Sequence, residues 1–246
     1  MIDTYKRKVL INYTDVDING KLNLVNSVSL IQNIMTEYFS EIKSDNLLLK
    51  EKNNAIWVVV KTKIHFNKYP KWRDILIGEA FTTQVKAIRA DVETQCKDKD
   101  GNILFYADQE ICVVDLDTRK IRKIDTVNYP LNIKTYEPLN KVNFRKLNEE
   151  FSEDEKVYEQ KIYSTDIDYS RHMNNVFYVK YVLNTLPSSF FENNEITDFE
   201  IHYIKESKEN QKLEVYRKVK DKEVDFLIKE GENEIVRAKL YYKNIN

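Results

Sequence analysis

Residues 165–175, Thr-Asp-Ile-Asp-Tyr-Ser-Arg-His-Met-Asn-Asn, gather carboxylates, a hydroxyl, an imidazole and two amides directly ahead of an apolar run with helical spacing. We read the stretch as the entrance to an active site. If it is extended, side chains alternate, so Asp168, Ser170 and His172 share one face while Tyr169, Arg171 and Met173 share the other. An acid, a hydroxyl and an imidazole then converge. A serine-centred triad compressed into five residues is disfavoured. Its histidine would have to bond both partners with opposite ring nitrogens, and side chains two apart on one strand face stand side by side. The bland reading of Asp166 and Asp168 is as turn and cap residues.

The same stretch has a counterpart near the N-terminus. Residues 14–23 align with 165–174 without a gap at a spacing of 151, so Asp17 matches Asp168 while Asn19, Lys21 and Asn23 stand at the places of Ser170, His172 and Asn174. A second correspondence, at 137, sets Ile64-His65-Phe66 against Ile201-His202-Tyr203 and Tyr69 against Glu206. The chain is a duplicated unit. Imidazole and glutamate occur at these places only in the second copy, and imidazole alone among side chains ordinarily titrates near neutral pH.

Each copy must hold its motif with a helix and strands. Val25, Val28, Ile31, Met35, Tyr38 and Ile42 recur at steps of three and four, predicting an amphipathic helix from about Asn23 to about Lys43. Strands are predicted from Ala55 to Val60, at Ile64 to Phe66, Ile75 to Val85, Asp91 to Lys97 and Leu104 to Asp115, with a hairpin turned at Asp100-Gly101. From Ile124 to Lys156 the pattern loosens. A shorter helix, with Val176, Val179, Leu183 and Leu186 as its stripe, closes at Pro187, and strands follow at Phe199 to Ile204, Leu213 to Val219, Val224 to Ile228 and Ile235 to Tyr242. A helix followed by antiparallel strands, made twice, is an α+β arrangement. The division expected is 1–130, a linker at 131–156, and 157–246.

The chain has 246 residues, 42% of them hydrophobic, and a formal net charge of −1, which removes the electrostatic footprint of a nucleic-acid binder. The basic cluster Arg119-Lys120 with Arg122-Lys123 is read as a solvated loop. Cys96 and Cys112 lie in strand-like runs, so no disulfide framework is expected. The residues from Met1 to Lys8 carry no apolar signal core and the longest apolar run, Ala55 to Val60, is too short to span a bilayer. No membrane association is expected, and the location expected is cytoplasmic. The four glycines form no phosphate loop, and there is neither a paired-cysteine zinc pattern nor a helical histidine pair, so no cofactor and no metal are expected.

Taken together, Asp17-Ile18-Asn19-Gly20, Trp57 to Val60, Tyr69 to Asp74, Ala107 to Asp115 with Thr118-Arg119-Lys120, Asp166 to Val176, and Tyr203 to Ser207 resemble the acyl-acyl carrier protein thioesterases. The resemblance covers nearly the whole chain. It implies two tandem hot dog domains, each a long helix packed on an antiparallel sheet, the first shaping an acyl pocket and the second catalytic. It also implies thioester hydrolysis that releases fatty acid from acyl carrier protein, ending chain elongation in fatty acid biosynthesis. The family motif Asp-x-Asn-x-His falls on Asp168, Ser170 and His172, with serine where the family has asparagine, and the family glutamate falls on Glu206, next to Ser207. Glu206 is then the general base for a water positioned with Asp168, while His172 and Ser170 contact the thioester oxygen. Asn174 and Asn175 are expected to bind substrate, with backbone amides from Met173 to Asn175 as oxyanion donors. Met35, Phe39 and Trp57 are expected to wall the acyl pocket. Carboxylate attack through an acyl-enzyme anhydride is an open alternative, as are acyl-CoA as donor and a non-catalytic module binding acyl groups or carrier protein. A tandem copy supplies pairing within one chain, so a monomer or homodimer is expected.

Overall fold

A computed structural model describes residues 3–140 and 143–245. The outer limits of the expected division, and two residues of its linker, Lys141 and Val142, lie outside the described residues, as do Met1 and Ile2 of the N-terminal stretch.

In the first half β1 (Thr4–Leu10) precedes the first motif, α1 (Leu24–Glu41) and α2 (Asn46–Asn53), and then come β2 (Ala55–Phe66), β3 (Ile75–Val85), β4 (Ala90–Lys97), β5 (Ile103–Asp115) and β6 (Ile121–Arg122). The second half repeats the order with β7 (Lys156–Lys161), α3 (Asn175–Leu183), α4 (Ser188–Asn193), β8 (Asn194–Tyr203), β9 (Lys212–Lys220), β10 (Glu223–Glu230) and β11 (Asn233–Asn244). The predicted strands from Ala55 to Val60 and at Ile64 to Phe66 are one strand. Its register shifts between Val59 and Lys61, so the pairing with β5 continues past the interruption.

The strands form one sheet in the order β1-β3-β4-β5-β2-β8-β11-β10-β9-β7, with β6 added to β5. The junction is the antiparallel pair β2 and β8, in which Lys63 faces Glu200, Ile64 faces Phe199 and Thr62 faces Ile201. Lys63 and Glu200 are themselves 137 apart, the spacing that relates the copies. The internal dyad therefore passes through this pair, and two sheets merge into one at the repeat axis.

α1 is laid on the first half of the sheet by its stripe. Leu24, Val28, Ile31, Ile34, Met35, Tyr38 and Phe39 are buried, and each such side chain contributes about 1.5–3 kcal/mol relative to exposure. Asn23 caps the helix by accepting the Asn26 amide at 2.8 Å. Gly78 on β3 lets it seat closely, since a Cβ there would lie 2.3 Å from Ile34 Cδ1. α3 is half as long, and Pro187 starts a further short helix, α4, after closing it. α1 packs on α3 across the junction. No helix among the described residues is long and apolar enough to cross a membrane.

Candidate active site

The motif of the second half is a tight hairpin rather than an extended strand. Ile167 and Met173 pair antiparallel, the Asp168 amide donates to the His172 carbonyl at 3.0 Å, and the Arg171 amide donates back to the Asp168 carbonyl at 3.0 Å. Asp168 drives the turn. Its Oδ1 accepts the Ser170 amide at 2.8 Å and the Ser170 hydroxyl at 2.5 Å, a local side-chain-to-backbone closure that competes with a strand. Asp168, Ser170 and His172 do come together, through the turn and not by alternation.

The turn decides several roles. Because the Ser170 hydroxyl donates to Asp168, it is not held ready for a thioester oxygen. His172 Nδ1 lies 3.0 Å from the Ser170 carbonyl, which can only accept, so Nδ1 carries a proton and Nε2 turns toward Glu206, 3.4 Å from its Oε2. No nitrogen of His172 bonds the Ser170 hydroxyl, and a serine nucleophile there lacks its base. Among the expected oxyanion donors, the Met173 amide donates to the Ser207 carbonyl and the Asn174 amide to the Asp166 carbonyl, both at 2.9 Å. The Asn174 side chain caps α3 by accepting the Val176 amide at 3.0 Å. Asn175 opens α3, where a helix leaves its N–H without an internal partner, and its amide is the one of the three still open among the described residues.

Glu206 stands on the segment between β8 and β9. That segment is stapled to the turn by the Met173–Ser207 bond, while the Ser207 amide donates to the buried Tyr178 hydroxyl at 3.0 Å. Burial lifts the Tyr178 hydroxyl to about 12, which keeps it neutral. Ser207 itself is fully buried and contributes structure. Glu206 Oε2 also bonds the Arg119 guanidinium, delivered from the β5–β6 turn of the other half.

Two cavities meet at these groups. One, of about 580 Å³, is a largely apolar groove between α1 and β2 whose lining includes Met35, Phe39, Trp57, Asn174 and Asn175. His172, Ser170 and Glu206 sit at its end and are shared with the second, an open cleft of about 820 Å³. Behind the groove Phe39, Trp57 and Tyr129 pack ring on ring at 5.2–6.2 Å, and Trp57 Nε1 donates to the Ser44 carbonyl at 2.7 Å. The cleft is basic: Lys50, Arg119, Arg171, Lys205 and Lys208 outnumber Asp117 and Glu206. Among the described residues no group of three His, Cys, Asp or Glu side chains could hold a metal ion.

The model of the acyl-ACP thioesterase N-terminal domain matches residues 2–128, and that of the C-terminal domain matches residues 149–244. The chain belongs to the acyl-ACP thioesterase family. Among curated members, it is 22% identical over 222 residues to the chloroplastic oleoyl-acyl carrier protein thioesterase 2 of Arabidopsis thaliana, covering 84% of this chain and 60% of that one. It is 25% identical over 210 residues to the chloroplastic dodecanoyl-[acyl-carrier-protein] hydrolase of Cinnamomum camphora, covering 78% and 54%. The chain thus spans little more than half the length of these curated relatives. The fold is that of an acyl-ACP thioesterase structure from Bacteroides thetaiotaomicron, with a TM-score of 0.88, 20% identity and 98% of both chains covered. It is also similar to the 12:0-ACP thioesterase of Umbellularia californica, with a TM-score of 0.85, 20% identity, and 100% and 99% covered. Two tandem hot dog units on one merged sheet are therefore the architecture of this acyl-ACP thioesterase family member.

The solvated-loop reading of the basic cluster fits Lys120 and Lys123, which are exposed, and is corrected for the two arginines. Arg119 bonds Glu206, and Arg122 donates to the Asn53 carbonyl at 2.7 Å and lies 3.6 Å from Asp115. Glu206 and Asn53 are far away in sequence, so a charge run could not reveal them. The one local sign was Thr118-Arg119-Lys120 within the family resemblance.

Proposed function

We propose that this chain is a thioester hydrolase that releases free fatty acid from acyl-acyl carrier protein, with residues 1–130 shaping the acyl pocket and 157–246 supplying the catalytic groups. The observation that carries the reading is the place of His172 and Glu206, where an apolar groove meets a basic cleft. An acyl chain lies in the first, its thioester at the junction, and the phosphate-bearing arm of an acidic carrier in the second.

In this reading Glu206 takes the proton of a water as the water adds to the thioester carbon. Its Oε1, which no protein hydrogen bond reaches among the described residues, is the oxygen placed for that. The carbonyl oxygen becomes negative and is met by the Asn175 amide, while His172 Nε2, an acceptor in this tautomer, takes a hydrogen bond from the attacking water. Collapse breaks the carbon–sulfur bond, the thiolate recovers the proton from Glu206, and acid and thiol leave. Asp168 and Ser170 act one step back, fixing the turn whose carbonyl sets the tautomer of His172. The tandem copy supplies the pairing that such folds need, so one chain is the working unit.

The test is thiol release from acyl carrier protein and CoA thioesters of matched chain length. Faster turnover of the carrier series supports the reading. Faster turnover of CoA esters assigns the basic cleft to the phosphates of CoA instead, and binding of acyl carrier protein without turnover of either series makes the chain a binding module.

A further inference from the structure

We propose that Arg119 is a positioning residue for Glu206: the first half of the chain reaches across the junction and sets the base that the second half carries. This rests on the reading of Glu206 as base. Glu206 has a third of its side-chain surface exposed, so with three side-chain torsions it is not held by packing. Arg119 and His172 approach the same oxygen, Oε2, one by a charge-assisted bond and one at 3.4 Å. Oε1 is thereby left uncovered and aimed. A base held in one rotamer is worth more to catalysis than one that samples several.

The donor is itself built to stay put. Arg119 has φ of +57°, a left-handed conformation that costs a non-glycine residue about 1–2 kcal/mol, at a turn closed by its own amide on the Asp115 carbonyl at 3.0 Å. The Thr118 amide and hydroxyl bond Asp115 Oδ1 at 2.9 and 3.0 Å and hold that carboxyl below its usual range. Asn54, at the end of α2, accepts the Leu116 amide at 3.0 Å and donates to Asp117 at 2.7 Å. Glycine would relieve the strain at 119 but would not reach Glu206. A strained arginine aimed at the base is the sign of a function.

The experiment compares wild type, Arg119→Gln and Arg119→Lys in two readouts. In hydrolysis of the acyl thioester that wild type turns over, Arg119→Gln should lower kcat roughly ten- to hundredfold with KM within about threefold, since the loss falls on the transition state and not on ground-state binding. Arg119→Lys should recover part of the loss. The second readout needs no substrate: the ring carbon signals of His172 at fixed pH, assigned with His172→Asn, should shift in Arg119→Gln and less in Arg119→Lys. A rise in KM at constant kcat would make Arg119 a substrate contact and overturn the proposal, as would unmoved His172 signals. If wild type turns over no thioester, the hydrolase reading fails by itself while the His172 spectrum still decides whether Arg119 sets the Glu206–His172 pair.

Discussion

The two dyad-related turns have the same backbone and opposite contents. In the first half Val16 pairs with Leu22, the Asp17 amide donates to the Lys21 carbonyl at 2.7 Å, and Asp17 Oδ1 accepts the Asn19 amide at 2.8 Å. The second half has the same bonds from Asp168. At the place of His172, however, Lys21 reaches an ion pair with Glu195, and at the place of Glu206, Tyr69 stacks on Phe66 at 4.4 Å and donates to the Ile196 carbonyl at 2.8 Å. Burial pushes that phenol well above its usual range. The cleft of about 550 Å³ beside it is lined by Phe191 of α4 and by the end of the short α3, where the other site has the second half of the longer α1, with Met35 and Phe39. The aspartate-braced turn is thus scaffold, and chemistry is what the side chains at the places of His172 and Glu206 and the length of the opposing helix add to it.

The largest effect should come from removing what only the second turn has. Glu206→Ala is expected to lower hydrolysis by about 10²–10⁴-fold, roughly 3–5 kcal/mol of barrier, with the circular dichroism spectrum unchanged. Activity within a few-fold of wild type would remove Glu206 from the chemistry.

The outer faces of the two halves differ as sharply. Lys239 of β11 faces Asp225 of β10, 3.4 Å from its carboxylate, but at the equivalent pair in the first half Asp108 of β5 faces Glu93 of β4. Acid opposes acid, both buried. Burial first, and the Glu93 charge second, push Asp108 up to about 7. Its proton is therefore held more tightly in the folded than in the unfolded chain. Stability should fall as pH rises from about 4, the unfolded value, to about 7, and level off above. Asp108→Asn should stabilise by about 2 kcal/mol at pH 8, below the ceiling of about 4 kcal/mol that the full shift would give, and by little at pH 4.5. Urea melts at the two pH values check it, and an equal gain at both would mean that the carboxylate's charge is not the cause.

A smaller effect separates the turns themselves. Gly20 holds φ of +67° in the first, and Arg171 holds +64° at the same place in the second. Glycine is at ease there and arginine is not. Arg171→Gly should therefore stabilise the fold by about 1 kcal/mol while raising KM several-fold, because the side chain lost is one of the cations of the cleft. A stability gain with KM unchanged would leave the strain without a functional reason.

The sequence carried the dyad in full: the spacings 151 and 137 are the turn pairing and the β2–β8 register of the structure. α1 and β3 were legible because each keeps one period over many residues. β1 and β7 were not, since Thr4 to Leu10 and Lys156 to Lys161 alternate few apolar residues with charge, and the latter begins where a charged run ends. α2 and α4 are too short to show a stripe. At the site, the structure brings His172 and Glu206 together and lines one groove with Met35, Phe39 and Trp57, but Ser170 faces Asp168 and Arg119 enters unannounced. An Asp whose side chain bonds the amide two residues on folds a strand-like pattern into a turn, and a guanidinium reaching across a domain junction leaves no periodic trace.

The sharpest test of the comparison has the smallest expected effect. With His172→Ala to silence the second site, Lys21→His and Tyr69→Glu would place imidazole and carboxylate on the first turn at the positions they hold on the second. If the turn alone made the site, turnover would return. The structure argues otherwise: among the described residues no arginine lines that cleft to hold the new carboxylate, Glu195 remains where the imidazole would lie, and the opposing helix ends at Leu183, half the length of α1. Each missing feature is worth at least a factor of ten by the reasoning applied to Arg119 and Glu206, so thiol release should stay at the level of His172→Ala. Recovery to even a few per cent of wild type would show that the braced turn with two side chains suffices, and that α1 and Arg119 refine a site they do not make.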